Sequence, residues 1–577
     1  MLRSASTRTF KSAPCVASSS AFRRLYTRAA TGRASYGLAA ASATVAALWY
    51  VATLPTVHND APLHIHNELP PPVDVPSKGR LESEDLDLLV WGSNKSHLLD
   101  GKLPESVRVP TESEWFKNVA LRDLALHEKH AACVDARGDV YEWGDGFFRD
   151  TTPPSGVQPQ LTLKGKNIKQ LQLTRSRTFA LSENGRIYVL ASSQTDQALP
   201  AGSSESSWLS TLWGESQHVD FAEIAPSEKL KRGERFVQIS AGTDHLLAVT
   251  SDGRTFAHPI TLNANAYGQL GFRKCDVPAS AGPHVQNAQT RERVALELTP
   301  KSIADPYAKS SSGIRPANSA SRLSAAVVGK EAADAGVTDA SIRWSDKLFE
   351  IPALKGVKVD RAVAGARTSF VKTSNGQVLG WGANEYGQMG LGGNVTLDTI
   401  TVPTEVILWR NAPARTKTTC RDIHAGGDLT MFEVERVDGT SMPSVEILAC
   451  GNGQYGGLGS GQYSNAQSAP VRAKNVSGLF EFSDATQNLQ AIVPDAISVS
   501  PTGHVLLTLD TRKQAGPGGG GRDMVAWGAN FEYQLGTGKR GSQAVRDMQG
   551  RVWGRGVEVE QRAVAGWNNS VVYWRVC

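Results

Sequence analysis

The residues best placed by type and spacing to do chemistry in this chain form a glycine triplet. Gly451, Gly453 and Gly456 have the Gly-x-Gly-x-x-Gly spacing of a dinucleotide-binding turn. Such a turn opens a helix, and an acidic residue about 20 positions further on holds the ribose. Neither pattern follows here, so we interpret the triplet as a structural loop and predict no cofactor.

Two groups of histidines are candidates for a metal site. His127 and His130 lack the spacing that puts two imidazoles on one face of a helix. His58, His64 and His66 lie close together but have no cysteine or carboxylate at a defined ligand spacing. The sequence therefore predicts no metal ion, and His58, His64 and His66 are interpreted as solvated residues.

A histidine recurs at one position of a repeated pattern. His130, His245 and His504 share this position, and the other copies have Arg177, Thr368, Leu429 and Asn569. Catalysis would not need the same histidine three times. We therefore expect each histidine to be a turn residue that hydrogen-bonds inside its own sheet, and we predict no catalytic residue and no enzyme activity.

The cysteines show neither a Cys-x-x-Cys pair nor a disulfide framework. The six are Cys15, Cys133, Cys275, Cys420, Cys450 and Cys577. At this chain length and density, the pattern argues against a disulfide-stapled scaffold. Cys133 and Cys450 fall in apolar runs, and we predict that they are buried in strands.

The element that positions these residues is clearest in residues 361–392, RAVAGARTSFVKTSNGQVLGWGANEYGQMGLG. Asn375-Gly376 separates two strand-forming runs, and this pair predicts a type I′ hairpin turn because both central residues of that turn need φ > 0. The loop after Trp381-Gly382 is rich in glycine, which suits sharp backbone turns. The unit is strand, tight turn, strand and Gly-rich loop.

Seven copies of this unit follow one another along the chain; two of them, at residues 187–193 and 255–271, lack both residues of the Trp-Gly pair, and the copy at residues 448–459 has Cys450-Gly451 in its place. Repeats of this size bury their apolar faces only against neighbouring copies. We predict structural roles for the Trp-Gly positions Trp91, Gly92, Trp143, Gly144, Trp381, Gly382, Gly451, Trp527 and Gly528. The same holds for the Ala-Gly segment positions Gly242, His245, Gly365, Gly426 and Gly566.

The two ends of the repeat series complete one another. The series starts with a Trp-Gly strand that has no Ala-Gly partner, and it ends at residues 571–577 with Ala-Gly strands that have no Trp-Gly partner. Pairing these ends in one sheet would close a ring and remove exposed sheet edges. The sequence predicts an all-β propeller.

The phrases AGTDHLLAVTSDGRTF and WGANEYGQMGLG resemble the repeat of the RCC1 family of seven-bladed β-propellers. The resemblance covers residues 86–573 and implies a propeller domain at 86–577. Members of this family include an exchange factor for a nuclear GTPase, a light sensor and domains of ubiquitin ligases. The resemblance therefore implies a fold and does not fix an activity.

The first 85 residues differ in composition from the rest. Residues 1–35 are rich in Arg and Ser and contain no acid, which is typical of a mitochondrial transit peptide; the alternative is a disordered basic tail. Residues 36–57 have no charged side chain and predict a transmembrane helix, or else a removed or peripheral targeting segment. Residues 58–85 are rich in proline and predict a linker.

Charge and loop composition limit the partners. The first 59 residues hold seven cations and no anion, so the formal charge of +5 leaves −2 on the remainder, and we expect no nucleic-acid binding. Two insertions, 199–234 and 272–344, are polar and aperiodic. Each is either a partner contact or a tolerated loop.

The sequence leads to the hypothesis of a protein-binding platform, single-pass in the mitochondrial inner membrane. Within the RCC1 family this arrangement is similar to a fungal inner-membrane member, and that resemblance implies a role in the assembly of respiratory complex III. The main alternative is a guanine-nucleotide exchange factor for a small GTPase. A secreted or endoplasmic-reticulum location is a further alternative, because Asn94, Asn394 and Asn475 begin glycosylation motifs.

Overall fold

The computed structural model describes residues 86–149, 156–199, 219–278, 293–304, 337–410, 412–439, 442–483, 487–510, 522–539, 543–548, 551–553 and 557–576. The predicted transit peptide (1–35), transmembrane helix (36–57) and linker (58–85) lie outside these residues. No helix within the described part of the chain is long and apolar enough to cross a membrane.

Almost all regular structure is antiparallel β, arranged in four-stranded sheets that we number along the chain. Sheet 1 contains β32 (Val557–Ala565), β33 (Asn569–Val576), β1 (Leu89–Ser93) and β2 (Ser106–Glu112). Sheet 2 contains β3 (Leu121–Leu126), β4 (Ala131–Asp135), β5 (Val140–Trp143) and β6 (Gln160–Leu163). Sheet 3 contains β7 (Ile168–Leu173), β8 (Arg177–Ser182), β9 (Ile187–Ala191) and β10 (Phe221–Pro226).

The remaining sheets repeat this order. Sheet 4 contains β11 (Phe236–Ala241), β12 (His245–Thr250), β13 (Thr255–Pro259) and β16 (Lys347–Glu350). Sheet 5 contains β17 (Val359–Ala364), β18 (Thr368–Thr373), β19 (Val378–Ala383) and β20 (Thr399–Glu405). Sheet 6 contains β21 (Lys417–Gly426), β22 (Leu429–Val437), β23 (Ser444–Gly453) and β24 (Ser464–Arg472). Sheet 7 contains β27 (Pro494–Val499), β28 (His504–Leu509), β29 (Arg522–Gly528) and β30 (Gln543–Met548).

The other elements are short. Two hairpins pair β14 (Lys274–Pro278) with β15 (Arg293–Glu297) and β25 (Phe480–Ser483) with β26 (Asn488–Ala491), and β31 (Arg551–Trp553) adds to β32. Helical turns span Glu114–Phe116, Asp145–Phe148, Gln194–Gln197, Lys301–Ala304 and Pro352–Leu354. Brief parallel bridges link sheet 1 to sheet 2 and sheet 3 to sheet 4.

The first strand of each sheet contacts the first strand of the next sheet in a cyclic order. The contacts run from β3 to β7, β11, β17, β21, β27 and β32, and β32 contacts β3 again. These strands therefore form the inner wall of a ring, and the fourth strands lie at its outside.

The chain ends meet inside sheet 1. Val90 of β1 pairs with Val571 of β33, and Leu89 pairs with Val572. The predicted pairing of the first and last strands is confirmed. One hydrophobic core cluster joins residues from both ends of the chain, with Val90 and Trp143 beside Leu506 and Val571, so burial of apolar surface as well as strand pairing holds the ring shut.

The hairpin at Asn375-Gly376 has a different turn from the one that the sequence predicted. Gly376 has φ = 79°, whereas Asn375 is not among the non-glycine residues with positive φ. The amide of Gly376 donates to the carbonyl of Thr373, and Thr373 donates to Gln377. The type I′ prediction is wrong, because one extra loop residue lets a single left-handed glycine make the reversal.

Both predicted insertions contain ordered strands. β10, the outer strand of sheet 3, lies inside the range 199–234, and the β14–β15 hairpin lies inside 272–344. Val277, Leu296 and Trp344 of the second range are buried in a core cluster. The described parts of both ranges are therefore ordered by packing against neighbouring sheets.

Candidate protein-binding face

The Trp-Gly residues connect neighbouring sheets. The indole nitrogen of each repeat tryptophan donates a hydrogen bond to a carbonyl in the loop after the third strand of the preceding sheet. The pairs are Trp91 to Gln534 (2.7 Å), Trp143 to Leu98 (2.8 Å), Trp381 to Gln269 (2.9 Å) and Trp527 to Gly457 (2.9 Å). In sheet 6 the thiol of Cys450 takes the place of the indole and contacts the carbonyl of Gln388 at 3.3 Å.

The glycine after each tryptophan allows this approach. Gly382 has φ = +114° and sits at a β-bulge in the pairing of β19 with β20. A Cβ at Gly382 would stand 2.5 Å from the carbonyl oxygen of Arg367. Glycine is required here both for its φ and for the close backbone approach. The same positive φ occurs at Gly92, Gly144, Gly451 and Gly528.

The glycine of the Ala-Gly segment is required for a different reason, which is close packing. Gly242 has no unusual φ, but a Cβ there would stand 2.4 Å from Cε1 of His245 and from the carbonyl oxygen of Gly365. The side chain three residues later folds over this glycine in other copies too, as Thr368 does over Gly365 and Asn569 over Gly566. At Gly426 the close neighbour is the backbone of Val499 in the next sheet.

The repeated histidine links two sheets. His245 Nε2 lies 2.9 Å from the hydroxyl of Ser369 in sheet 5, and that hydroxyl donates to the carbonyl of Gln269 at 2.7 Å. Because Ser369 has one proton and gives it to Gln269, the imidazole must donate through Nε2–H. The expected hydrogen bond inside the histidine's own sheet is wrong for His245. Burial lowers the pKa of His245 to about 4 and keeps the ring neutral.

Trp381 donates to the same Gln269 carbonyl, so four residues form one buried joint, which we call the latch: His245, Ser369, Gln269 and Trp381. A second latch has the same chemistry and consists of His504, Ser570, Gln534 and Trp91. The second latch joins sheet 7 to sheet 1. The joint that closes the ring is therefore built like a joint between two consecutive copies.

The joint between sheets 2 and 3 has lost this arrangement. His130 Nε2 is buried with no hydrogen-bond partner among the described residues. A buried carboxylate, Glu142, accepts instead from Thr178 at 2.5 Å and from the amide of Gln197 at 2.6 Å. Burial raises the pKa of Glu142. The tryptophan that the third copy lacks is thus replaced by a polar network.

The loops after the Trp-Gly strands and the turns of the Ala-Gly segments emerge at the same end of each sheet, which we call the loop face. Across sheets 4 to 6 this face carries a charged cluster. Arg367 contacts Glu385 at 2.6 Å, Asp428 at 3.0 Å and the hydroxyl of Tyr267 at 2.7 Å. Lys301 and Arg367 both lie over the Tyr267 ring, and burial raises the pKa of Tyr267 to about 12. The mutual pairing makes this cluster a rigid part of the face.

Across sheets 6 and 7 the loop face carries exposed aromatic residues, which we call the aromatic patch: Tyr455, Tyr463 and Phe531. Their exposed fractions are 42%, 78% and 54%. The rings of Tyr455 and Phe531 meet edge to face with centroids 4.9 Å apart, and a ring carbon of Tyr463 lies 3.3 Å from the position that a Cβ on Gly456 would take. Exposed aromatic groups of this kind are typical of protein-binding surfaces.

A cavity of about 540 Å³ lies among the innermost strands, with Asp123, Lys169 and Arg575 among its lining residues. Asp123 accepts from the amides of Leu171 at 2.7 Å and Leu124 at 3.0 Å. Burial nevertheless raises its pKa to about 6. The bond from Leu171 to Asp123 joins β7 to β3.

The structure also locates other residues that were considered as candidate sites in the sequence. Gly451 and Gly453 end β23, and the next element is the strand β24. Cys133 and Cys450 are buried in strands, as predicted. No group of three potential metal ligands occurs among the described residues, and His58, His64 and His66 lie outside them.

The glycosylation motifs differ in their access to solvent. Asn94 is buried, and its amide donates to the carbonyls of Asp100 and Leu103. Asn394 and Asn475 are exposed. A sugar on Asn94 is incompatible with the folded sheet, so only Asn394 and Asn475 could report a secretory location.

Comparison with known proteins identifies the repeat. The family model described as "Regulator of chromosome condensation (RCC1) repeat" matches residues 375–432, and a second model of the same description matches residues 359–388. Together they cover residues 359–432, from the start of β17 into β22.

Two curated relatives carry a location in their names. Protein FMP25, mitochondrial, of Saccharomyces cerevisiae is 21% identical over 84% of this chain and 72% of its own length. RCC1 domain-containing protein RUG3, mitochondrial, of Arabidopsis thaliana is 22% identical over 56% of this chain and 66% of its own length. Among solved structures, yeast RCC1 (Prp20) bound to Kap60 aligns over 85% of this chain and 89% of its own, with 15% identity and a TM-score of 0.49.

Proposed function

We propose, from the premise that this chain carries RCC1 repeats, that it is a seven-bladed propeller that binds protein partners in the mitochondrion. The cyclic contacts of the innermost strands and the pairing of Val90 with Val571 support the ring. The similarity to FMP25 over most of the chain supports the location. The structural roles of the repeat positions, from Trp91 to Gly566, belong to this proposal.

The proposal includes an anchor in the inner membrane. Residues 1–35 would direct import, residues 36–57 would span the bilayer once, and residues 58–85 would link the span to the ring. Anchoring raises the effective concentration of the ring for membrane-bound partners. Assembly intermediates of respiratory complex III are the proposed partners, on the strength of the family resemblance.

The observation that carries the binding role is the aromatic patch. Tyr455 and Phe531 stand on loops whose bases are fixed by inter-sheet hydrogen bonds at Gly457 and Gln534. A rigid support lowers the entropy that binding costs, and large aromatic side chains supply most of the energy in many protein interfaces. A partner that covers the patch would remove three aromatic side chains from water.

The experiment uses the tagged full-length protein in its native cell. Mitochondria are isolated, treated with a membrane-permeant cross-linker, and the adducts of the tagged protein are quantified by mass spectrometry. The double variant Tyr455→Ala, Phe531→Ala should lose the adducts. Leu397→Ala is the control, because Leu397 is also exposed (63%) but lies outside the aromatic patch.

Three outcomes contradict the proposal. If the tagged protein is found outside mitochondria, the proposed location is wrong. If the double variant keeps its adducts, the aromatic patch is not the surface that contacts the partner. Faster nucleotide release from a GTPase found among the adducts replaces the platform with an exchange factor.

A further inference from the structure

A second cavity, of about 290 Å³, lies between sheets 5 and 6, and Gly390 of the loop after Trp381-Gly382 is among its lining residues. Its walls come from the segment after β20, from β22 and β23, and from the end of β24. We call it the arginine cleft because Arg410, Arg436 and Arg472 all line it. Glu446 is the one carboxylate among its lining residues, so three guanidinium groups face one carboxylate.

The charges in the cleft are incompletely compensated. Arg436 Nη1 lies 2.8 Å from Glu446 Oε2, and Arg472 Nε lies 3.5 Å from Glu446 Oε1. Arg436 and Glu446 are each only 13% exposed. Arg436 Nε and Glu446 Oε2 are both buried without a hydrogen-bond partner among the described residues, and the two further guanidinium groups of the cleft leave an excess of donors and of positive charge. A buried guanidinium N–H without an acceptor is costly and is satisfied when an anion binds.

The other walls of the cleft are apolar and belong to Ile407, Leu408, Leu448, Pro470 and Val471. Arg410 and Arg472 are held at the mouth, since Arg410 donates to the carbonyl of Leu391 at 3.4 Å and Arg472 donates to that of Ser477 at 2.7 Å. Trp409, next to Arg410, is 60% exposed. The cleft thus combines exposed guanidinium groups, a buried Arg436–Glu446 pair and apolar walls.

We propose that the arginine cleft binds a free carboxylate that is attached to an apolar side chain, as at the C-terminus of a partner polypeptide. Guanidinium groups pair with carboxylates through two parallel hydrogen bonds, and the apolar wall receives the terminal side chain. The volume suits one residue and is too small for a two-chain lipid. Capture of a terminal carboxylate is a known mode of peptide recognition.

The probes are N-acetyl-leucine, its amide and inorganic phosphate, titrated into the full-length protein and followed by ligand-observed NMR. N-acetyl-leucine should bind, and the amide should bind roughly tenfold more weakly or not at all, because it lacks the charge that the arginines recognise. Phosphate should bind more weakly than N-acetyl-leucine because it leaves the apolar wall in water.

Arg472→Met and Arg410→Met should each weaken binding of N-acetyl-leucine roughly tenfold. Both side chains are exposed enough that their loss leaves the core intact. Lys474→Met is the matched control, since Lys474 is exposed, two residues from Arg472, and not among the lining residues. Arg436→Met tests the buried contact, with its melting temperature measured in parallel.

Equal binding of the acid and the amide would overturn the proposal, and so would unchanged binding in the Arg410 and Arg472 variants. Phosphate binding as tight as that of N-acetyl-leucine would identify a simple anion site instead. These results are independent of the aromatic patch, so either proposal can fail without the other.

Discussion

The indole nitrogen of Trp91 donates a hydrogen bond to the carbonyl oxygen of Gln534, 2.7 Å away and 443 residues later in the chain. The hydroxyl of Ser570 donates to the same carbonyl. Three separate segments of the chain therefore meet at one buried oxygen. The equivalent meeting of Trp381, Ser369 and Gln269 occurs inside the repeat series, so closure of the ring repeats a joint that the chain already uses.

Removing the serine hydroxyl from each latch tests whether the two latches are equivalent. Ser570→Ala leaves His504 Nε2 without its acceptor, and Ser369→Ala does the same to His245. Each variant should lose about 1–3 kcal/mol of unfolding free energy, because a buried donor is left unsatisfied. Urea denaturation measures both. A neutral Ser570→Ala beside a destabilised Ser369→Ala would mean that the latch does not hold the closing joint.

Deleting residues 562–577 should destabilise the whole ring. The deletion removes β33 and the last four residues of β32, so β1 keeps only β2 as a strand partner and Val90 loses its pairing with Val571. The truncated chain should melt at a lower temperature in a single broad transition and should aggregate through the open edge. Melting at the temperature of the full chain would contradict the closure.

Two glycine-to-alanine substitutions distinguish the cost of a positive φ from the cost of a steric clash at the new Cβ. Gly382→Ala puts a Cβ 2.5 Å from the carbonyl of Arg367 at φ = +114°, whereas Gly356→Ala meets nothing within 4 Å at φ = +82°. We expect Gly356→Ala to cost about 1 kcal/mol of unfolding free energy and Gly382→Ala more than about 3 kcal/mol. Equal losses in urea denaturation would show that the close approach at Gly382 can relax.

The buried histidine predicts a pH dependence. Burial lowers the pKa of His245 from 6.5 to about 4 in the folded state. Between those values the unfolded chain binds more protons, so stability is lost as the pH falls from about 6.5 towards 4. The unfolding free energy of the wild type should fall roughly 1–2 kcal/mol more between pH 7 and pH 5 than that of His245→Gln.

The wild type and His245→Gln share all other titrating groups, so the difference between their pH profiles removes the contributions of those groups to stability. Burial raises the pKa of Asp123 to about 6 and that of Glu433 to about 7, and these shifts act in the opposite direction to that of His245. Both carboxyls are present in the wild type and in the variant. Parallel pH profiles would show that His245 is protonated without cost in the folded protein.

Much of the fold could be predicted from the sequence because each copy of the repeat indicates where its strands begin and end. The unpaired Trp-Gly strand at Trp91 and the unpaired Ala-Gly strands at the other end predicted the pairing of β1 with β33. The two copies without Trp-Gly form strands β9 and β13 in their expected places. These two copies have the apolar pattern of the other strands although they lack the Trp-Gly pair.

The contacts between copies could not be predicted in the same way. The partner of His245 is Ser369, 124 residues further on, and a repeat pattern places residues within a copy but does not say which neighbour they face. Outer strands such as β10 are half exposed and so carry little periodicity. The aromatic patch was visible as Tyr455 and Phe531 in Gly-rich loops, but its significance depends on two copies meeting.

The whole account depends on the two chain ends sharing one sheet, and a disulfide test measures this directly. Leu89→Cys, Val572→Cys is compared with Val371→Cys, Leu379→Cys, because Leu89–Val572 and Leu379–Val371 are equivalent pairs in sheets 1 and 5. Equivalent register gives equivalent Cβ separations, so mild oxidation should form both intramolecular disulfides at similar rates. An internal disulfide that forms between positions 371 and 379, with none between 89 and 572, would contradict the closed ring.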